Sequence, residues 1–234
     1  MMQPLYLYVL IGSFSIPFLF TFFCIDFIKK WKNFCISTLC IASFFLIWDA
    51  IFTNFEIWGF THSYCAGWYF LKMPIEEWLF FLVIPFCSLF THFAFFYAFP
   101  KLVLNKKATI LITGILVCAA VLLLIFNYDK WYTLVNYVCF ILVLIFGLFR
   151  LQLLQQFYIS FLIILIPFFL VNGILTGMLT EIPVVWYDNT ENLGRRIVTI
   201  PVEDIGYAFS MLFGNLLIFD LLNRREENRI SKTT

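Results

Sequence analysis

Apolar runs of about 20 residues, the length a helix needs to cross the hydrocarbon of a bilayer, recur seven times and occupy most of this chain. They lie near residues 5–28, 34–53, 75–98, 108–126, 133–149, 157–179 and 202–222, each closed by polar, charged or turn-forming residues. In hydrocarbon every backbone N–H and C=O must be satisfied within the segment, so each run predicts a helix. The expected fold class is an all-α integral membrane protein of about seven transmembrane helices. Composition agrees: 63% of the 234 residues are hydrophobic and 12% charged, against roughly 45–50% and about 25% in soluble domains. No sizeable domain in water is encoded. The first run is longer than a signal-peptide core and lacks both a basic leader and a small-residue cleavage site, so it reads as a retained span.

Orientation follows from the basic residues, because cytoplasmic loops accumulate positive charge. Of the 15 Lys and Arg, 11 fall on one side, among them Lys29, Lys30, Lys32, Lys106, Lys107, Arg150, Arg224, Arg225 and Lys232; Lys72, Lys130, Arg195 and Arg196 fall on the other. The N-terminus is predicted outside and the C-terminal tail cytoplasmic. Trp58, Trp68, Trp78, Trp131 and Trp186 cluster at the outer ends of the spans, where indole rings favour the interface. The long connectors 54–73 and 180–200 share that outer side and carry most of the remaining polar residues.

The chain also repeats itself. Trp48-Asp49-Ala50-Ile51-Phe52-Thr53 aligns with Val171-Asn172-Gly173-Ile174-Leu175-Thr176, and Pro74-Ile75-Glu76-Glu77 with Pro201-Val202-Glu203-Asp204. Spans one to three then correspond to spans five to seven. An even number of spans separates the partners, so the copies point the same way through the membrane, related by an axis along its normal. The predicted organisation is a first repeat over 1–100, a linker with span four over 101–130, a second repeat over 131–223 and a tail over 224–234. Gly173 and Gly177 read as a small-x-x-x-small packing pair.

Each duplicated motif starts a helix. Proline costs nothing in the first turn, and acidic residues there face the positive end of the helix dipole. A cap needs one acid, however, and both copies have two at membrane depth, where carboxylates are expensive and mark function. Glu76, Glu77, Glu203 and Asp204 are therefore the candidate catalytic residues, facing one another across the pseudo-axis. Carboxyls gathered in a poorly solvated place can divide protons unequally and so both give and take one during a reaction. Successive helical residues lie about 100° apart, so one acid of each pair points at a shared cavity. Asp49, with Thr53 one turn on, and its counterpart Asn172 are supporting candidates, as are Pro74 and Pro201. Some of the 32 Phe can stabilise a carbocation through their ring faces.

Other chemistry lacks a signal. The seven cysteines are mostly isolated in apolar runs without a Cys-x-x-Cys pair, His62 and His92 lack ligand spacing, and no dinucleotide or phosphate-binding glycine motif occurs. No metal or other cofactor is expected. A net charge of +1 with scattered basic clusters gives no nucleic-acid-binding face. The residues alone leave three readings open: an enzyme, a proton- or cation-coupled transporter, and a non-catalytic membrane subunit.

An Asp-bearing span, a Trp- and Gly-containing connector and Pro-x-Glu-Glu, repeated as Pro-x-Glu-Asp, resemble the small membrane-type lycopene cyclases, in their fused two-repeat form. The resemblance covers nearly the whole chain. It implies redox-neutral, proton-initiated cyclisation of the acyclic ends of lycopene to β-ionone rings without a cofactor, with Glu76, Glu77, Glu203 and Asp204 as the acids. It further implies a lipophilic polyene substrate, membrane lipid as surroundings and other carotenoid-pathway enzymes as partners. The second repeat departs from the first in having Asn172 where the first has Asp49.

Overall fold

The structure, a computed structural model, describes residues 4–22 and 31–231. Among these, seven helices form: α1 (Leu5–Thr21), α2 (Trp31–Asn54), α3 (Ile75–Ala98), α4 (Lys106–Phe126), α5 (Trp131–Leu148), α6 (Leu151–Leu175) and α7 (Glu203–Ile230). Six are long and apolar enough to cross a membrane, and α1 is a shorter apolar helix of 17 residues. The chain is thus a multi-pass membrane protein. The predicted end of the first span, residues 23–28, lies outside the described residues, as do Lys29, Lys30 and Lys232 of the charge count.

The helix packing carries the duplication into three dimensions. α1 packs on α3 as α5 packs on α7; α2 packs on α7 as α6 packs on α3; and α3 meets α7 at the centre. α7 is the most enclosed helix, with Phe209, Met211, Leu212, Phe213 and Leu216 all buried. α4 has no counterpart in the repeat, packs on α5 and α6, and is the least enclosed.

The connectors are duplicated too. Strands β2 (Tyr69–Phe70) and β3 (Met73–Pro74) form a hairpin leading into α3, and β5 (Arg196–Ile197) and β6 (Ile200–Pro201) form one leading toward α7. Between them, β1 (Trp58–Phe60) pairs antiparallel with β4 (Val185–Tyr187). Gly59 faces Trp186 at the middle of this ladder, and these positions stand 127 residues apart, the offset that relates Pro74 to Pro201. A two-fold relation requires such a pairing, because a residue on the axis can meet only its own equivalent. Both connectors therefore lie on one face of the bundle.

Two helix ends differ from the sequence expectation for identifiable reasons. α6 stops at Leu175 rather than 179 because Gly177, at φ +105°, closes it: Met178 N–H donates to Gly173 C=O at 2.8 Å. Gly177 is a helix stop of the Schellman kind, not half of a packing pair. α2 closes the same way, with Glu56 at φ 60° and Ile57 N–H on Phe52 C=O. α7 runs past 222 to Ile230, supported by Arg224 on Asp220 at 2.8 Å one turn back and by Asn33 of α2 donating to Asn223 and Glu226. Among the tryptophans, Trp58 is buried and faces the protein, whereas Trp68 and Trp131 are exposed as interfacial rings should be.

A Cβ on Gly59 would run into the Trp186 indole. Gly59→Val is expected to destabilise the protein by about 1–3 kcal/mol through overpacking, and Trp186→Ala in the same chain to recover most of that loss; thermal unfolding in detergent measures both.

Candidate active site

At the head of each central helix the two acids take different roles. Glu76 is fully buried and its Oε1 accepts the backbone N–H of Ala66 at 2.6 Å; Glu203, equally buried, accepts that of Leu193 at 2.7 Å and the Thr133 hydroxyl at 2.9 Å. The 127-residue offset relates these two bonds, and also Ile75 N–H on Trp68 C=O and Val202 N–H on Arg195 C=O. The first acid of each pair thus ties its connector down over the helix start, and its second oxygen has no hydrogen-bond partner among the described residues.

The second acid of each pair turns inward, one step of about 100° further round the helix. Glu77 accepts the Tyr6 hydroxyl at 2.5 Å, and Asp204 accepts that of Tyr132 at 2.5 Å. Tyr6 and Tyr132 open the first helices of the two repeats, 126 positions apart. Beyond this shared unit the halves diverge. Asp49, buried in α2, accepts the Trp58 indole N–H and the Thr53 hydroxyl on Oδ1 and lies close to the Glu77 carboxyl, its other oxygen having no hydrogen-bond partner among the described residues. In the second repeat Asn172 instead bonds back to Phe168 C=O, and the other oxygen of Asp204 accepts the Tyr187 hydroxyl at 3.0 Å. Burial, and next the Asp204 carboxyl, holds the Tyr187 phenol well above its ordinary pKa, so it stays a donor.

Asp49, Glu77 and Asp204 all line one cavity of about 620 Å³, whereas Glu76 and Glu203 are not among its lining residues. Tyr187 and Tyr207 lie within electrostatic range of all three lining carboxyls, which places those acids in one cluster. Aromatic rings face it, including Trp58, Phe80, Phe81, Tyr132 and Tyr207. From the acids the cavity runs along α3 from Glu77 to Thr91, about 21 Å of helix, between walls that are mostly apolar. The cavity is thus apolar along its length, with three buried carboxyls at one end.

A model of the lycopene cyclase family matches residues 3–96 and, a second time, 129–222. The chain belongs to the lycopene cyclase family. The two matched stretches agree with the internal repeat, and membership makes the protein a carotenoid cyclase acting on a lipophilic carotenoid. No curated protein and no solved structure matches the chain.

Several residues around these acids carry no signal of such a placement in the sequence alone. Tyr6, Tyr132, Trp58, Tyr187 and Tyr207 sit in apolar or connector sequence like many other aromatics, and only the repeat offset singles out the first two. Pro74 and Pro201 end their hairpins and precede the acids. Among the described residues no group of three His, Cys, Asp or Glu is placed to hold a metal ion. Cys65, beside Glu76, is no nucleophile: burial pushes its thiol up to about 11.

Glu76→Leu and Glu203→Leu remove the acceptor of a buried backbone N–H and are expected to cost about 1–3 kcal/mol each. The Gln variants keep an acceptor oxygen and lose less, as thermal unfolding of the four proteins will read.

Proposed function

We propose that the cyclase closes β-ionone rings on the acyclic ends of lycopene, with the Asp49–Glu77 pair as proton donor and Asp204 as proton acceptor. The reading rests on three carboxyls of unlike surroundings meeting at the closed end of an apolar cavity. Two neighbouring buried carboxyls repel when both are charged, so the pair can keep one proton between them and release it. Asp204 receives O–H donors on both oxygens and has none to give, the state of a base.

The chemistry balances without a cofactor. A proton from the pair adds to C2 of the terminal C1=C2 double bond, leaving a tertiary cation at C1. The C5=C6 electron pair attacks C1, forming the C1–C6 bond and moving the cation to C5. Loss of the C6 proton to Asp204 restores C5=C6 and completes the β ring. One proton enters and one leaves, with no change in oxidation state. Passage of that proton from Asp204 back to the pair resets the site. Rings around the cavity stabilise the cations by their negative faces, each by about 0.5–2 kcal/mol, and apolar walls keep out the water that would trap them as alcohols. Tyr6 and Tyr132 hold the acids in place.

Expression in a bacterium that accumulates lycopene tests this reading: chromatography of pigments should show monocyclic or dicyclic β-ring carotene. Unchanged lycopene with the protein inserted would refute it. Asp49→Asn, Glu77→Gln and Asp204→Asn are each expected to lower turnover at least about 100-fold, the usual scale of general acid–base catalysis, while Tyr6→Phe and Tyr132→Phe lose about ten-fold. Normal turnover in all three acid variants would move the chemistry elsewhere.

The excess of basic residues on the opposite face supports an outward-facing site, with the N-terminus outside and the C-terminus cytoplasmic. A cysteine placed in the 180–200 connector should react with an impermeant reagent in intact cells; labelling from the cytoplasm alone would reverse the topology.

A further inference from the structure

Two copies of a catalytic motif suggest two sites, one for each end of a symmetrical polyene, yet the cavity breaks the two-fold relation. It lies between α1 and α6, and the equivalent space between α5 and α2 does not contribute its lining apart from Tyr132 and Asp49 at the closed end. Gly12 and Ile16 of α1 and Pro167 and Leu170 of α6 line the cavity and are also exposed on the outside of the bundle, so it opens sideways between these helices into the hydrocarbon. A Cβ at Gly12 would meet nothing within 4 Å.

Proline placement follows the same asymmetry. α1, α3 and α6 carry internal prolines, Pro17, Pro85 and Pro167, and all three helices line the cavity. Their repeat counterparts α5, α7 and α2 contain none. A helix proline deletes a backbone hydrogen bond and crowds the preceding turn, bending the helix. On the proline-free side, between α2 and α5, Phe45 and Trp48 of α2 pack on Tyr207 of α7 and Phe140 of α5 packs on Phe209 of α7. The cavity thus lies on one side of the pseudo-axis, and rings occupy the equivalent place on the other.

Resting on the cyclase reading, we infer that the two repeats build one active site reached through a single lateral opening between α1 and α6, so that the enzyme cyclises one end of a carotenoid per binding event. A rigid conjugated chain lying in the groove presents one end to Asp49, Glu77 and Asp204 while its other end points away from them. Closing the second ring requires the half-cyclised carotene to leave through the opening and return reversed. The monocyclic carotene is therefore a released intermediate, and product distribution depends on how well it competes with lycopene for the groove.

The test uses the full chain in lipid nanodiscs with lycopene, measuring both bound polyene and product over time. Wild type should retain one polyene per chain, and monocyclic carotene should accumulate free in the lipid before any dicyclic product. Gly12→Trp, or Leu170→Trp from the opposite lip, should cut bound polyene at least ten-fold. Val138→Trp, at the position equivalent to Gly12 on the exposed face of α5, should bind and turn over as wild type does. Two polyenes per chain, dicyclic product without a free monocyclic stage, or loss of binding in Val138→Trp rather than the lip variants would overturn the inference. Wild-type protein that binds one polyene at this opening and leaves it acyclic would instead remove the cyclase reading.

Discussion

A carboxyl taken out of water at the edge of a membrane must find partners, and the cyclase is organised around how four of them do so. At the head of α3 and again of α7, one acid is satisfied by the connector and the next by a tyrosine from the first helix of its repeat. The same four bonds fold the connectors over the bundle, fasten α1 to α3 and α5 to α7, and aim one acid of each pair at the cavity. Leaving any of these groups unpaired would cost kilocalories that a marginally stable protein does not have to spare, so structure and site are secured together.

Duplication supplies the frame, and departures from it make the surroundings of its two inward acids unlike. Two identical halves would place identical carboxyls on either side of the axis, each the equal of the other in its readiness to give or take a proton. Asp49 in one half and Asn172 in the other remove that equivalence, as do the Trp58 indole on Asp49 and the Tyr187 hydroxyl on Asp204. Acid and base roles need such a difference, since a catalytic pair works when its members are held in unlike states. Away from the cavity α7 meets rings instead, with Phe45 and Trp48 of α2 on Tyr207 and Phe140 of α5 on Phe209.

Much of this is legible in the order of residues. Apolar runs specify helices in lipid because no other structure satisfies a lone backbone segment there, and the paired acids stand out because charge in such a setting is rare. Glu76 and Glu77 look alike in sequence, however, as do Glu203 and Asp204. Which of them turns inward follows from a 100° step around the helix relative to neighbours that only the packed bundle supplies. Tyr6 and Tyr132 are hidden among many aromatics, because a hydroxyl declares its partner only when another helix brings that partner near. Hydropathy carries α6 four residues past its true end because glycine at that point serves either close packing or a left-handed turn, and the φ value decides between them.

By itself, then, the sequence determined the number and character of the spans, their two-fold repetition and the positions where acids enter the membrane, since each depends on local hydropathy or on likeness between segments. Tertiary structure alone decided which acids share the cavity, which tyrosines hold them, and on which side of the pseudo-axis the cavity lies. Those outcomes depend on contacts between helices distant in the chain, where prolines on one side and packed rings on the other accompany unequal spaces built from nearly equal parts.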